Sequence, residues 1–154
     1  MFRSLRRLLR RGDIQLSLDF TRAASQAKTK SAERAHPADA HFVRDLTRAH
    51  RELNAAKFSG ELSDIPIRVS RRMKSRLGHY TLRGQEKYRA EIVISRRHIR
   101  RHGWDDAIQT LLHEMVHQWQ DETGQKVDHG SEFRRKARQV GITPRASRRV
   151  ARPG

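Results

Sequence analysis

Cysteine is absent from this 154-residue chain. Disulfides are therefore excluded, and so is any thiolate metal site; zinc, if bound, must be held by histidine and carboxylate. Apolar residues are scarce, at 35%, so part of the chain is expected to be a solvated arm rather than core. No apolar run approaches the length of a membrane span. The first twelve residues interrupt their leucines with arginines and lack the apolar centre of a secretory signal. They share the arginine-rich, acid-poor look of a mitochondrial presequence. Acidic side chains are also few: 17 Asp+Glu stand against 34 Lys+Arg, a formal net charge of +17. That excess favours a polyanionic partner, nucleic acid ahead of an anionic membrane.

What is present divides into three parts. Residues 1–36 read as a flexible basic arm, with an apolar patch, Gln15-Leu16-Ser17-Leu18-Asp19-Phe20, followed by a stretch with no large apolar side chain. Pro37 opens the folded domain, expected over 37–143, and 144–154 reads as a basic disordered tail. Within the domain, Phe42, Val43, Leu46, Ala49 and Leu53 recur at helical spacing, which predicts a helix over about 38–57, ended by Phe58-Ser59-Gly60. Ile65, Ile67 and Val69 alternate with Pro66, Arg68 and Ser70, an edge-like strand. Residues 78–82 are a second strand, 83–87 a turn, and 88–95 the strongest strand. A central helix is expected over about 104–123, with Asp105 and Asp106 at its positive end and Ile108, Leu111, Leu112, Met115 and Trp119 as its stripe. A last helix covers about 131–140, between Ser131 and Gly141. The fold class is α+β.

The chemistry lies in His113-Glu114-Met115-Val116-His117, an HExxH pattern inside the amphipathic central helix. At i and i+4 both imidazoles lie on one helix face and can reach one metal ion, with the glutamate beside them as a base. Two histidines from one helix do not complete a catalytic site, which takes three protein ligands and an open position. The chain must turn back, and Gly124 permits it. His129 is the foremost third ligand, with Glu122 and Glu132 as rivals. Glu122 also suits an ordinary exposed helix position. His36, His41, His50, His79, His98 and His102 are read as non-ligands.

The run from 54 to 142 resembles the SprT-like zinc metallopeptidase domain, the domain also found in Spartan-type proteases. The matching pieces are Asn54-Ala55-Ala56-Lys57-Phe58-Ser59-Gly60-Glu61-Leu62, Ile67-Arg68-Val69-Ser70, Leu77-Gly78-His79-Tyr80, the strand at 91–95, residues 110–117 and His129-Gly130-Ser131-Glu132-Phe133. The resemblance implies one Zn2+ per chain on His113, His117 and His129, with Glu114 as the catalytic glutamate. It implies a compact zincin-like domain, a small sheet beside the HExxH helix. Strand 89–95 looks like the edge strand on which zincins hold substrate as an added β-strand. Two departures stand out. Without cysteine the chain has no thiolate zinc ribbon, and Gln118 replaces the usual small residue after the second histidine. No oxyanion-stabilising residue is evident; His79 and Tyr80 are the candidates.

Members resembling Spartan cleave proteins trapped on DNA, and two basic clusters suit phosphate contacts. One is Arg68, Arg71, Arg72, Lys74 and Arg76; the other is Arg96, Arg97, Arg100 and Arg101. The patch at 15–20 resembles the peptide by which bacterial proteins dock on the polymerase sliding clamp, with Gln15, Leu18 and Phe20 in the contact positions. The expected protein is thus a cytoplasmic, nucleoid-associated zinc protease of DNA-bound substrates. Rival readings are a general zinc peptidase with no DNA role, a basic nucleic-acid-binding protein with a vestigial zinc site, and an N-terminus that targets or binds anionic lipid.

Overall fold

The computed structural model describes residues 35–83 and 89–142. The expectations for the arm up to residue 34, the docking peptide at 15–20, positions 84–87 of the turn expected at 83–87, and the tail from 144 lie outside the described residues.

Pro37–Asp39 form a single 3-10 turn, capped by His36, whose Nδ1 accepts from the Ala38 N–H at 3.2 Å. Helix α1 follows at once, Ala40–Lys57. It stops where expected: Ser59 and Gly60 take positive φ of 56° and 72°, a left-handed reversal that a helix cannot continue through. Asn54 ties the reversal, its side chain bonding the Leu62 carbonyl at 2.8 Å and the Leu62 N–H at 3.1 Å.

Three strands follow: β1 (Ile67–Ser70), β2 (Gly78–Thr81) and β3 (Glu91–Ser95). Their order is β1-β3-β2, with β1 parallel and β2 antiparallel to β3. This corrects one expectation. The strand at 89–95, read as the substrate-holding edge, is the central strand, and both its backbone sides are taken by neighbours. Ile92, Val93 and Ile94 are all fully buried, the unbroken apolar run of a strand covered on both faces. The edge is β2. The Ser95 N–H bonds the Leu77 carbonyl at 2.9 Å. By antiparallel alternation, Gly78 and Tyr80 then direct their N–H and C=O groups away from β3.

Three more helices complete the order: α2 (Arg96–His102), α3 (Trp104–Glu122) and α4 (Ser131–Val140). Helix α3 is the hub and packs against the sheet and the other three helices. Its stripe residues Leu111, Leu112, Met115 and Trp119 join Leu46, Phe58, Ile92, Ile94, Phe133 and Val140 in one core. No helix among the described residues is long and apolar enough to cross a membrane.

Gly78 sets how closely β2 approaches α3. A Cβ there would stand 2.9 Å from Thr110 Cγ2 and 3.1 Å from both Ile94 Cδ1 and the Val93 carbonyl. Thr110 lies one turn before the HExxH segment, so this contact seats the sheet edge beside it. Gly78→Val is expected to cost about 1–3 kcal/mol of stability by overpacking. A fall in the urea unfolding midpoint at unchanged slope would register it; an unchanged midpoint would mean that the edge has room to shift.

Candidate metal centre

His113 and His117 project from one face of α3. After α3 the chain reverses at Gly124, with φ of 73°. The Gln125 N–H bonds the Gln120 carbonyl at 2.8 Å. Asp128 then accepts from the Gly130 N–H at 2.8 Å, and Arg134 Nη1 bonds the His129 carbonyl at 3.0 Å. These contacts return His129 to the helix face. Its Nε2 stands 3.0 Å from His113 Nε2 and 3.1 Å from His117 Nε2. Nitrogens bound tetrahedrally to one zinc ion lie ~3.3 Å apart, given Zn–N bonds of ~2.0–2.1 Å.

The three imidazoles fit a divalent metal. Phe133, fully buried, packs its ring 4.8, 4.7 and 4.6 Å from those of His113, His117 and His129, an apolar backing that fixes all three. Burial, with His117 and His129 alongside, pushes His113 down to about 4. Burial also lowers His117. Both rings are therefore neutral near pH 7, the form that binds metal. His117 Nδ1 stands 3.0 Å from Gln120 Oε1. The amide oxygen can only accept, so the ring proton sits on Nδ1 and the lone pair on Nε2, toward the other histidines. Among the described residues this is the one group of three or more His and carboxylate side chains arranged to hold a metal ion.

Glu114 is buried beside the triad. Burial pushes its carboxyl up to about 8, opposed by a hydrogen bond from the Tyr80 backbone N–H and by the charge of Arg76. The outward-facing edge of β2 thus holds the glutamate directly. A cleft of about 780 Å³ opens over these groups, lined by 75–80 on one side and His113, Glu114, His117 and His129 on the other. It has the form of a substrate site: a metal-ligand cluster, a carboxylate and a strand edge in one concavity.

The rival ligands point elsewhere. Glu132 pairs with Arg135 at 2.8 Å on the surface. Glu122 is not the exposed helix residue its position suggests. Its side chain is 10% exposed and accepts from the Ser63 N–H at 3.0 Å, Gln118 Nε2 at 2.8 Å and Arg83 Nη2 at 3.1 Å. Gln118, fully buried, also bonds the Ser63 carbonyl at 2.8 Å and His50 Nε2 at 2.8 Å. The unusual residue after His117 therefore anchors α3 to α1 and to the loop before β1. Tyr80 spends its hydroxyl on Asp121 at 2.7 Å; its role at the site is through its backbone. His98 bonds Thr110 Oγ1 at 2.9 Å, away from the metal group.

The two basic clusters separate differently from their sequence order. Arg68 pairs with Glu91 at 3.2 Å, and Arg76 lines the metal cleft. Arg72 and Lys74 are exposed between Arg71 and Arg76. Arg71 joins Arg96, Arg97, Arg100 and Arg101 around a second cavity. Gln15, Leu18 and Phe20 lie outside the described residues.

Sequence reasoning missed Gln120, Phe133 and the Tyr80 N–H. Phe133 had a signal, four residues after His129 at the start of a helix. The other two depend on contacts no local pattern records.

Among curated proteins, none matches the chain. A family model does, over residues 46–151. That span holds the sheet, α3 and every group described at the cleft, so the chain belongs to the SprT-like family.

Proposed function

We propose that this chain is a zinc-dependent metallopeptidase with a zincin-like domain, acting on proteins bound or crosslinked to DNA. The observation that carries the reading is the convergence of three Nε2 atoms within 3.1 Å steps, with Glu114 and an outward-facing strand edge in the same cleft. A three-nitrogen set of this kind suits zinc and leaves a position open. When bound, zinc supplies Lewis acidity to water and to the scissile carbonyl.

The chain's own residues supply the rest. Gly78 and the Tyr80 carbonyl offer β2 backbone groups to an extended peptide, a mode that reads main chain and leaves sequence preference loose. Glu114, held by the Tyr80 N–H and ionised where the charge of a bound metal offsets its burial, takes a proton from the attacking water and returns it to the departing nitrogen. Burial of Glu114 keeps the base in a drier setting than solvent. The net charge of +17 supports recruitment to DNA, which would restrain a protease with little sequence preference. Docking on the sliding clamp through Gln15, Leu18 and Phe20, and a place beside the nucleoid, belong to the same reading.

The test is cleavage of one protein, free and covalently trapped on DNA, by the zinc-loaded chain. Faster cleavage of the trapped form is expected. Equal rates would make this a general zinc peptidase; no cleavage of either form, with metal bound, would end the peptidase reading.

A further inference from the structure

The second cavity, about 430 Å³, is lined by five arginines and nothing else: Arg71, Arg96, Arg97, Arg100 and Arg101. It shares no lining residue with the metal cleft. It lies where β1 and β3, which run parallel, come to their C-terminal ends, Arg71 just after β1 and the others on α2.

Two of the five are fixed from behind. Asp39, 2% exposed in its side chain, receives Arg71 Nε at 2.6 Å and Arg96 Nε at 2.7 Å. One carboxylate for two guanidiniums leaves a positive balance even there. The other three, Arg97, Arg100 and Arg101, are exposed and have no acidic partner among the described residues. They occupy i, i+3 and i+4 of a seven-residue helix. Arg100 and Arg101 suit the negative end of the helix, but like charges at that spacing oppose one another, so helix stability alone does not account for three unpaired arginines on one face. An anion in the cavity does. Planar guanidinium forks match phosphate oxygens two at a time, and two forks here are already held in place.

The cavity is also joined to the metal cleft by charge. Residues 71–76, Arg-Arg-Met-Lys-Ser-Arg, begin on the arginine cavity and end on the cleft. Five residue steps span at most about 18 Å. A single phosphate needs no such track; a polymer with a phosphate at every unit does. A membrane surface would need apolar side chains beside the charge, and among the described residues Trp104 is the one large apolar side chain left exposed.

We propose that the five-arginine cavity binds the phosphodiester backbone of nucleic acid, and that residues 71–76 lead that backbone to the rim of the metal cleft. The proposal rests on the DNA-directed reading above and gives it an address, separate from the catalytic groups.

The experiment is an anisotropy titration of a labelled oligonucleotide of mixed sequence, across salt concentrations, with the full chain. Arg97→Ala/Arg100→Ala/Arg101→Ala is compared with Arg44→Ala/Arg48→Ala/Arg51→Ala on the exposed face of α1, which removes equal charge. The cavity variant is expected to bind on the order of tenfold more weakly at low salt, with its salt slope reduced by roughly 2–3. The α1 variant should stay near the parent. Equal weakening by both variants, or none by the cavity variant, overturns the proposal. So does binding of the parent to vesicles of anionic lipid with none to the oligonucleotide. If the triple cavity variant melts early, Arg100→Gln alone is read the same way, at about a third of the slope change. The two readings fail separately. Binding lost in the cavity variant while cleavage ignores DNA keeps the site and removes the DNA-directed protease. Binding retained while cleavage depends on DNA does the reverse.

Discussion

Glu114→Gln is expected to keep its metal and its fold while peptide cleavage falls by roughly 10²–10⁴-fold, the usual contribution of a positioned proton-transfer group. The substitution is nearly isosteric. A glutamine oxygen can still accept from the Tyr80 N–H that holds Glu114; only the capacity to take a proton is lost. Stability offers a second readout on the metal-free chain. Burial raises the Glu114 carboxyl from 4.5 to about 8. For an acid raised this way, the folded chain binds more protons than the unfolded one between those values. Stability therefore falls as pH rises through that window. The Glu114→Gln chain lacks this term, so its unfolding midpoint should lose less between pH 5 and 8 than the parent's. Cleavage at parental rate by Glu114→Gln would remove the glutamate from proton transfer and leave it a packing role. Loss of metal together with activity would make it part of the metal group.

The elements that the sequence made legible share one property: a buried face long enough to show a period. Helix α3 displays Leu111, Leu112, Met115 and Trp119 over more than two turns, all in the core, and its limits were readable to within a residue. Helix α1 was nearly as open: its end at Lys57 was readable, while its expected start at 38 falls on the 3-10 turn before Ala40. Helix α2 was not read at all. It has seven residues, of which only His98 and Ile99 are buried, too few for a period to emerge among arginines. Its start was nonetheless marked, since Ser95 caps it by accepting from the His98 N–H at 3.3 Å. The strand order was misjudged for a different reason. Ile92-Val93-Ile94 carries the signature of a strand covered on both faces, but an edge was expected there from resemblance. The half-buried β2, with its glycine, is the strand a substrate could meet.

At the site, the ligands were legible because metal chemistry restricts both residue type and spacing. Their supports were not. Gln118 and His50 are 68 positions apart, and Asp39 and Arg96 are 57 apart. Such pairs follow from how α1, the sheet and α3 pack, and nothing near either partner in sequence announces them. The clustering of Arg71 with Arg96–Arg101 is of the same kind, since it needs β1 and β3 to be parallel neighbours.

Removal of His129 should abolish tight metal binding, and removal of Gln120 should weaken it without touching a ligand. His129→Ala leaves two nitrogens from one helix, a pair that cannot enclose an ion, so its loss of zinc affinity in a competitive chelator titration should be the larger. Gln120→Leu is expected to lose about 10–100-fold, the usual effect of removing the group that orients a ligating histidine. The two effects can be told from general damage. Gln120 is fully buried, and its Nε2 finds no hydrogen-bond partner among the described residues. Leucine of similar volume removes that unmet donor but leaves the buried His117 Nδ1–H without its acceptor, two costs of the same kind that offset one another, so the metal-free chain should keep close to its parental stability. A residue retained only for packing would show the opposite pattern, a lower melting temperature and unchanged zinc affinity. Gln120→Glu, which keeps an acceptor facing His117 Nδ1, should recover most of the affinity. With the parent chain, saturating zinc should raise the melting temperature, since metal binds the folded state alone. That rise should be absent in His129→Ala and shrink in Gln120→Leu by the amount its weaker affinity dictates. A zinc-induced rise that persists undiminished in His129→Ala would place the metal somewhere other than the three convergent imidazoles.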